Sequence, residues 1–295
     1  FIHAFWCCDF VCHAISLTGP HVYIVMQTSN YYDSVAVQQP ASSAWRNRRI
    51  DHNQVKRLLL KWIQQRMSHV CRICDLACGR GGDINKIHEV FTSVPCDCID
   101  SSKESINELI RRSEEVHANT HAICADVLSH KLPKNTYDVV LMNFALHYFT
   151  YSQESINALL GNISASLKEG GAFAGTCMNW RTLHECKSVT MYDRQCMDKI
   201  DQTPWGVRYK YYLPGCVDLD ECVVHFPSIV QLAFKHGLYV VKHRCFNGFL
   251  QEHGITPLAS QVNHSYVLFV FKKIAVECVC LLYIAPHPPC FQVGG

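Results

Sequence analysis

The stretch Arg72-Ile73-Cys74-Asp75-Leu76-Ala77-Cys78-Gly79-Arg80-Gly81-Gly82-Asp83 limits what this chain can fold into more than any other dozen residues. It reads as a buried strand that runs into a glycine-rich turn and then a helix. Glycines at 79, 81 and 82 let the backbone come close to a ligand, because no side chain stands in the way. The helix that follows begins with free N–H donors. A strand, such a loop and a helix form the first unit of a doubly wound α/β nucleotide site. The acidic residue expected after the second strand is Asp100, in Cys96-Asp97-Cys98-Ile99-Asp100. A carboxylate there can accept from both ribose hydroxyls of an adenosine. The loop lacks the G-x-G-x-x-G spacing of a dehydrogenase, which argues against a pyrophosphate ligand and suits a nucleoside without phosphate.

The remaining pattern extends the α/β reading. Val55, Leu58, Leu59, Trp62 and Ile63 recur at helical spacing over 53–66, with Lys56, Arg57, Lys61 and Arg66 between them. Strands are expected at 70–76, 94–99, 121–125, 137–142 and 172–177. The fourth is a nearly continuous apolar run, as central parallel strands are. Ser101 and Ser102 cap a helix carrying Ile106, Leu109 and Ile110, and a further helix runs from Gln153 to Leu167 until Gly170-Gly171 stops it. This alternation predicts a mostly parallel sheet with helices on both faces. Residues 179–206 read as irregular. Beyond them come a strand at 209–213, a helix at 228–236, and strands at 238–245 and 266–272. The last of these is expected to enter the sheet antiparallel, a topology that suits a methyltransferase better than a dehydrogenase.

Composition narrows the class. The chain has 295 residues, 48% hydrophobic and 18% charged, which favours a folded core over disorder. With a net charge of +2, any site for a polyanion must be a local cluster. The eighteen cysteines are irregularly spaced and read as reduced thiols. Cys71, Cys74, Cys96 and Cys98 read as small core residues, not as a zinc set, and no metal is expected. Residues 1–25 and 275–295 lack helical or strand period and read as tails outside a domain at 26–274. Residues 1–25 fit neither a membrane span nor a signal peptide with a basic start.

Several polar residues fall at expected strand ends, where doubly wound folds bind ligands. These are Asp100, Asp126 and Asn143, the last followed by Phe144-Ala145-Leu146-His147-Tyr148-Phe149. For Asp126 alone a helix cap is an equal reading; for Asp100, behind the glycine loop, a ligand is favoured.

Taken together, these pieces resemble the eukaryotic mRNA cap guanine-N7 methyltransferases, from about Tyr31 to Lys273. The matching segments are His52-Asn53-Gln54-Val55-Lys56, DLACGRGGD at 75–83, Asp100, Ala125-Asp126 and FALHYF at 144–149. Further matches are Gly215-Cys216-Val217-Asp218-Leu219-Asp220-Glu221-Cys222-Val223-Val224-His225-Phe226-Pro227 and the closing strand Ser265–Phe271. The first-strand motif alone marks a class I methyltransferase; its combination with FALHYF and the VDLDE…HFP segment is more specific.

The resemblance implies a Rossmann-like class I fold, S-adenosyl-L-methionine as cofactor, the capped 5′ end of RNA as substrate, and work in the nucleus. It leaves other capping or transcription proteins as candidate partners, and implies neither membrane nor metal. Carried over by position, Lys56 would reach the methionine carboxylate of the cofactor, and Ala77 and Gly79 would line it with their backbone. Asp100 would hold the ribose, Asp126 the adenine edge and Asn143 the methionine part, with Tyr148 also at the cofactor. Arg80, Lys86 and Arg112 would face the triphosphate bridge of the cap. His147, Tyr148, Glu221 and Tyr266 would form the guanine pocket, with His52 and Asn53 alongside. A flat purine wants aromatic faces, and its N1–H and exocyclic amine form a donor pair that Glu221 can accept in bidentate fashion. No residue is expected to act as nucleophile or base. The chain departs from the family pattern at Ala77, usually glycine, and at His52, usually asparagine. Gln54 stands for an aromatic and Met178 for a proline, and the connection from Phe249 to Tyr266 is short. These departures keep two other functions in view: a small-molecule methyltransferase, and a cap-binding module without catalysis.

Overall fold

The computed structural model describes residues 31, 43–193, 195–213 and 217–274. Both expected tails and Gly215-Cys216 of the matched segment lie outside these residues. The described chain builds helix α1 (Ser43–Gln64), strand β1 (Ile73–Leu76), α2 (Ile84–Val90), β2 (Cys96–Asp100), α3 (Lys103–Glu115), β3 (Thr120–Cys124) and β4 (Tyr137–Asn143). A single 3-10 turn (Leu146–Tyr148) leads to α4 (Gln153–Ser166) and β5 (Leu167–Met178). A smaller antiparallel sheet follows, made of β6 (Val189–Met191), β7 (Arg208–Leu213) and β8 (Val217–Cys222), with the short α5 (Gln195–Asp198) between β6 and β7. The chain then forms α6 (Phe226–Lys235), β9 (Leu238–Cys245), α7 (Phe246–Glu252), α8 (Ser260–Asn263) and β10 (Tyr266–Lys273).

The main sheet has seven strands in the order β3-β2-β1-β4-β5-β10-β9. β1 pairs parallel with β2 and β4. β10 runs antiparallel between β5 and β9, with Tyr266 opposite Met178 and Phe269 opposite Gly175. Because side chains alternate across a strand, the sheet feeds two apolar layers. Ile73, Val139, Leu141, Ala172, Ala174, Leu268 and Val270 pack with Val55, Leu59 and Ile63 of α1 and Ile84 and Ile87 of α2. Cys74, Val140, Met142, Phe173, Phe269 and Phe271 pack on the other face with Ile156, Leu159 and Ile163 of α4 and Ile229 and Leu232 of α6. The mostly parallel sheet, covered on both faces and closed by an antiparallel strand, is the architecture the alternation called for.

The differences from the expected elements have local causes. α1 begins ten residues before position 53, because tertiary contacts hold its first turns: Asp51 is buried and accepts from the Ala259 N–H and the Asn263 amide, both at 2.7 Å. β5 begins at Leu167, so Gly170-Gly171 lies inside the strand, where the pairing with β4 shifts register. β8, in the acidic VDLDEC run, and the short β6 are strands that apolar periodicity does not mark. The connection from Phe249 to Tyr266 is short but ordered, and contains the end of α7 and all of α8. Ser102 caps α3 by accepting from the Ser105 N–H at 3.0 Å, as expected. Cys74, Cys96 and Cys98 are buried in the sheet, while Cys71 is exposed ahead of β1. No described helix is long and apolar enough to cross a membrane.

Candidate active site

The sheet order reverses between β1 and β4, and doubly wound folds hold their ligands in the crevice at the C-terminal ends of such strands. The backbone is shaped for it on both sides. Ala77, after β1, has φ +51°, and Phe144, after β4, has φ +55°. Gly79 has φ +52° with nothing within 4 Å of where a Cβ would stand, so the loop opens onto free space there. A Cβ on Gly81, at φ +70°, would stand 3.1 Å from the Leu109 side chain of α3, so glycine there lets the loop pack beneath that helix. Ala77 thus occupies a left-handed position that costs an alanine about 1–2 kcal/mol and that a glycine adopts without strain.

Asp100 ends β2 as expected, but its first task is to hold the loop. Its carboxylate accepts the Gly79 N–H at 2.8 Å through one oxygen and the Ser102 N–H at 2.9 Å through the other.

The centre of the crevice is a residue not singled out as a ligand from the sequence, Asp83. Both its carboxylate oxygens lie 2.9 Å from the Lys56 ammonium; Lys86 donates at 2.9 Å and the Asn143 amide at 3.1 Å. Burial would raise this carboxyl, but Lys56 and Lys86 outweigh it and hold it at about 2. Lys56 and Asn143, expected at one ligand, are therefore joined through one carboxylate, and the Asn143 carbonyl is fixed by the Thr176 hydroxyl at 3.1 Å. Lys86 is buried against Asp83 and the Gly82 carbonyl and does not face outward. Neighbouring Asp75 lies at the end of β1, where burial pushes its carboxyl well above the usual range. The signal for Asp83 was present in the sequence: it closes the DLACGRGGD motif, immediately ahead of α2.

An aromatic wall stands beside this hub. His52 lies 5.4 Å from Phe144 in a stacked arrangement, 4.5 Å from Tyr266 and 5.1 Å from Phe246, both edge-on. Lys56 sits 5.2 Å over the Phe144 ring. The Arg48 guanidinium donates to the hydroxyls of Tyr211 and Tyr266, which are 3.1 Å apart. Burial, reinforced by Arg48 and Lys56, drives the His52 imidazole well below its usual value, so it is neutral near pH 7. Its Nε2 is buried without a hydrogen-bond partner among the described residues.

Glu221 is placed by the small sheet. The β7–β8 register sets Tyr209 directly opposite it, so both side chains share one face. The fully buried Tyr209 hydroxyl donates to Glu221 Oε2 at 2.5 Å. The other oxygen faces His147 Nε2 at 3.4 Å, close enough for an ion pair but not aligned as a hydrogen bond. Burial lowers the His147 imidazole against the pull of Glu221, so this ring too is neutral near pH 7. Tyr148 packs edge-on against His147 at 4.0 Å. Tyr209 and Tyr211 were legible only as strand residues; their i, i+2 spacing puts both on the same face of β7.

The remaining expected residues lie around this centre. Asn53 is half-buried on α1 and Arg80 half-buried on the glycine loop. Asp126 follows β3 and accepts the Leu128 N–H at 3.1 Å. Arg112 donates to Glu108 of its own helix at 2.7 Å.

Sheet order, strand-end crevice and glycine loop together define a class I methyltransferase fold. The magnesium protoporphyrin IX methyltransferase of Synechocystis, solved with SAH bound, superposes with a TM-score of 0.56 at 13% identity, over 85% of this chain and 99% of that one. The model of the mRNA (guanine-N(7))-methyltransferase domain matches residues 20–264, and the chain belongs to that family. It is 26% identical over 215 residues to the mRNA cap guanine-N(7) methyltransferase of Drosophila melanogaster, covering 64% of this chain and 50% of that protein. It is 27% identical over 224 residues to that of Schizosaccharomyces pombe, covering 68% and 62%. The chain thus spans about half to three-fifths of the length of these two relatives.

Proposed function

We propose that the protein transfers a methyl group from S-adenosylmethionine to N7 of the guanosine cap at the 5′ end of mRNA, and that it works in the nucleus. The observation that carries this reading is a set of polar and aromatic groups beside the open glycine loop, at the C-terminal end of the sheet. That set consists of Glu221, neutral His147 and His52, and the rings of Phe144, Tyr148 and Tyr266. Two buried imidazole nitrogens without hydrogen-bond partners among the described residues suit a base that supplies donors and acceptors.

The residues fit the cofactor. Gly79 leaves open space where a ligand would lie against backbone, and Asp100 stands at the end of β2 beside that loop, where it would meet the ribose hydroxyls. Lys56 would hold the methionine carboxylate, Asn143 and Tyr148 would border the methionine part, and Asp126 would meet the adenine edge. When bound, S-adenosylmethionine supplies a methyl carbon made electrophilic by its sulfonium. Guanine N7 carries a lone pair at neutral pH, so no side chain has to remove a proton. The protein's contribution is then to hold the base in line and exclude water, and orientation supplies most of the acceleration. Glu221 would accept the N1–H and exocyclic amine, held in place by Tyr209. Arg80 and Arg112 are the cations assigned to the triphosphate bridge. Lys86 is buried against Asp83, whose charge it offsets, and so stands apart from these two cations.

The test is methyl transfer from labelled S-adenosylmethionine to a short RNA with an unmethylated guanosine cap, with Asp100→Ala in parallel. Formation of 7-methylguanosine by the parent protein and its loss in the variant supports the reading. Cofactor binding without transfer to the cap would instead support a small-molecule methyltransferase.

A further inference from the structure

The chain's overall charge is close to neutral, yet α1 is strongly basic. It carries Arg46, Arg48, Arg49, Lys56, Arg57 and Lys61 against a single acid, Asp51. These charges divide by face. Asp51 is buried against α8, Arg48 turns inward to Tyr211 and Tyr266, and Lys56 turns into the crevice toward Asp83. The solvent ridge holds Arg46, Ile50, Arg57, Lys61 and Gln64, at helical spacings of four, seven, four and three, with exposed Arg49 beside them. Glu89 of α2 pairs with Arg57 of this ridge at 2.7 Å, in an exposed setting worth little to stability. From Arg46 to Lys61 the ridge is roughly 22 Å long, at 1.5 Å per residue.

The same helix presents His52 and Lys56 to the crevice, at levels between Arg46 and Lys61, so the ridge runs alongside the site on the helix's outer face. A capped RNA bound there is a polymer, and its chain must leave the crevice along some surface. We infer that the exposed basic ridge of α1 carries the phosphates of the RNA chain downstream of the cap. This inference rests on the proposed function and names a second contact for the same substrate: charge, spacing and continuity with the site fit a single-stranded polyanion. Such contacts are read without regard to base sequence, and their signature is salt dependence.

The experiment compares the parent with the triple variant Arg46→Gln, Arg57→Gln, Lys61→Gln, all three outside the proposed pocket. Affinities are measured for a capped dinucleotide and for a capped RNA of about twenty nucleotides across a salt series, together with methyl transfer to the dinucleotide. A single strand gives a slope of about −0.7 in log K against log salt for each phosphate neutralised. The expected result is a slope for the long RNA that is shallower by about 2 in the triple variant, with binding and methylation of the dinucleotide unchanged. Arg66→Gln, which removes a guanidinium stacked 4.1 Å over Trp62 on another face, should leave the slope as it is. An unchanged slope in the triple variant would overturn the inference and leave the ridge for an acidic protein partner, while dinucleotide methylation still reports on the proposed function. Failure of the parent to methylate even the dinucleotide would overturn the functional reading itself.

Discussion

At the scale of single residues, the site is governed by charges and conformations held in unusual states. Ala77 at φ +51° is one. Replacing it with glycine relieves the left-handed strain but frees the unfolded chain. The net expectation for Ala77→Gly is a gain of about 0.5–1 kcal/mol, a rise in Tm of roughly 2 °C by calorimetry; a fall in Tm would remove strain as the explanation. Protonation is another. Asp83 is held at about 2, below its ordinary 3.8, so its contribution is complete above about pH 4 and is lost as pH falls toward 2. The two neutral imidazoles act higher on the scale. Burial lowers His52 and His147, so the unfolded chain binds more protons below about pH 6.5 and stability drops as pH falls through that range. Urea unfolding at pH 7, 5 and 3 should therefore show two losses: one beginning below about 6.5 that His52→Asn reduces, and one below about 4 that Asp83→Asn reduces. A single loss confined to the carboxylate range would contradict the neutral histidines.

At the scale of elements, what could be read from the sequence was whatever lay on one element. β1 with its glycine loop, the capped α3 and the apolar β4 follow from local pattern. α1 was legible only where apolar periodicity marks it. Its first turns are held by Asp51, whose partners on and beside α8 lie more than two hundred positions away in sequence. Asp51→Ala should leave the buried Asn263 amide and the half-buried Ala259 N–H unpaired and cost about 1–3 kcal/mol, read as a lower urea midpoint; an unchanged midpoint would show that the start of α1 does not depend on α8. β8 was missed because Asp218, Asp220 and Glu221 hide its alternation. Its strand identity comes from pairing with β7, and that pairing turns Glu221 from a loop carboxylate into one fixed by Tyr209 at 2.5 Å.

At the scale of the whole molecule, topology does what no segment can. The β3-β2-β1-β4-β5-β10-β9 order brings α1, the glycine loop, the end of β4, the small sheet and the start of β10 to one crevice. The candidate ligands on strand ends were foreseeable because a doubly wound fold puts its strand ends there. The partners that hold them, Asp83 at Lys56 and Tyr209 at Glu221, were not, since they depend on side chains meeting across elements. Arg48 belongs to the same group, clamping two tyrosines from two different sheets. The central claim, that this crevice reads guanine and methylates its N7, is tested most directly by comparing kcat/KM for RNA capped with guanosine and with inosine, which lacks the exocyclic amine. The parent and Glu221→Gln are assayed in parallel, with cofactor affinity measured on both. We expect 7-methylguanosine as product, a preference for the guanosine cap of about ten-fold or more in the parent, and its collapse toward unity in the variant at unchanged cofactor affinity. A preference that survives Glu221→Gln intact, or a methyl group placed at any other atom, would contradict the assignment of the site.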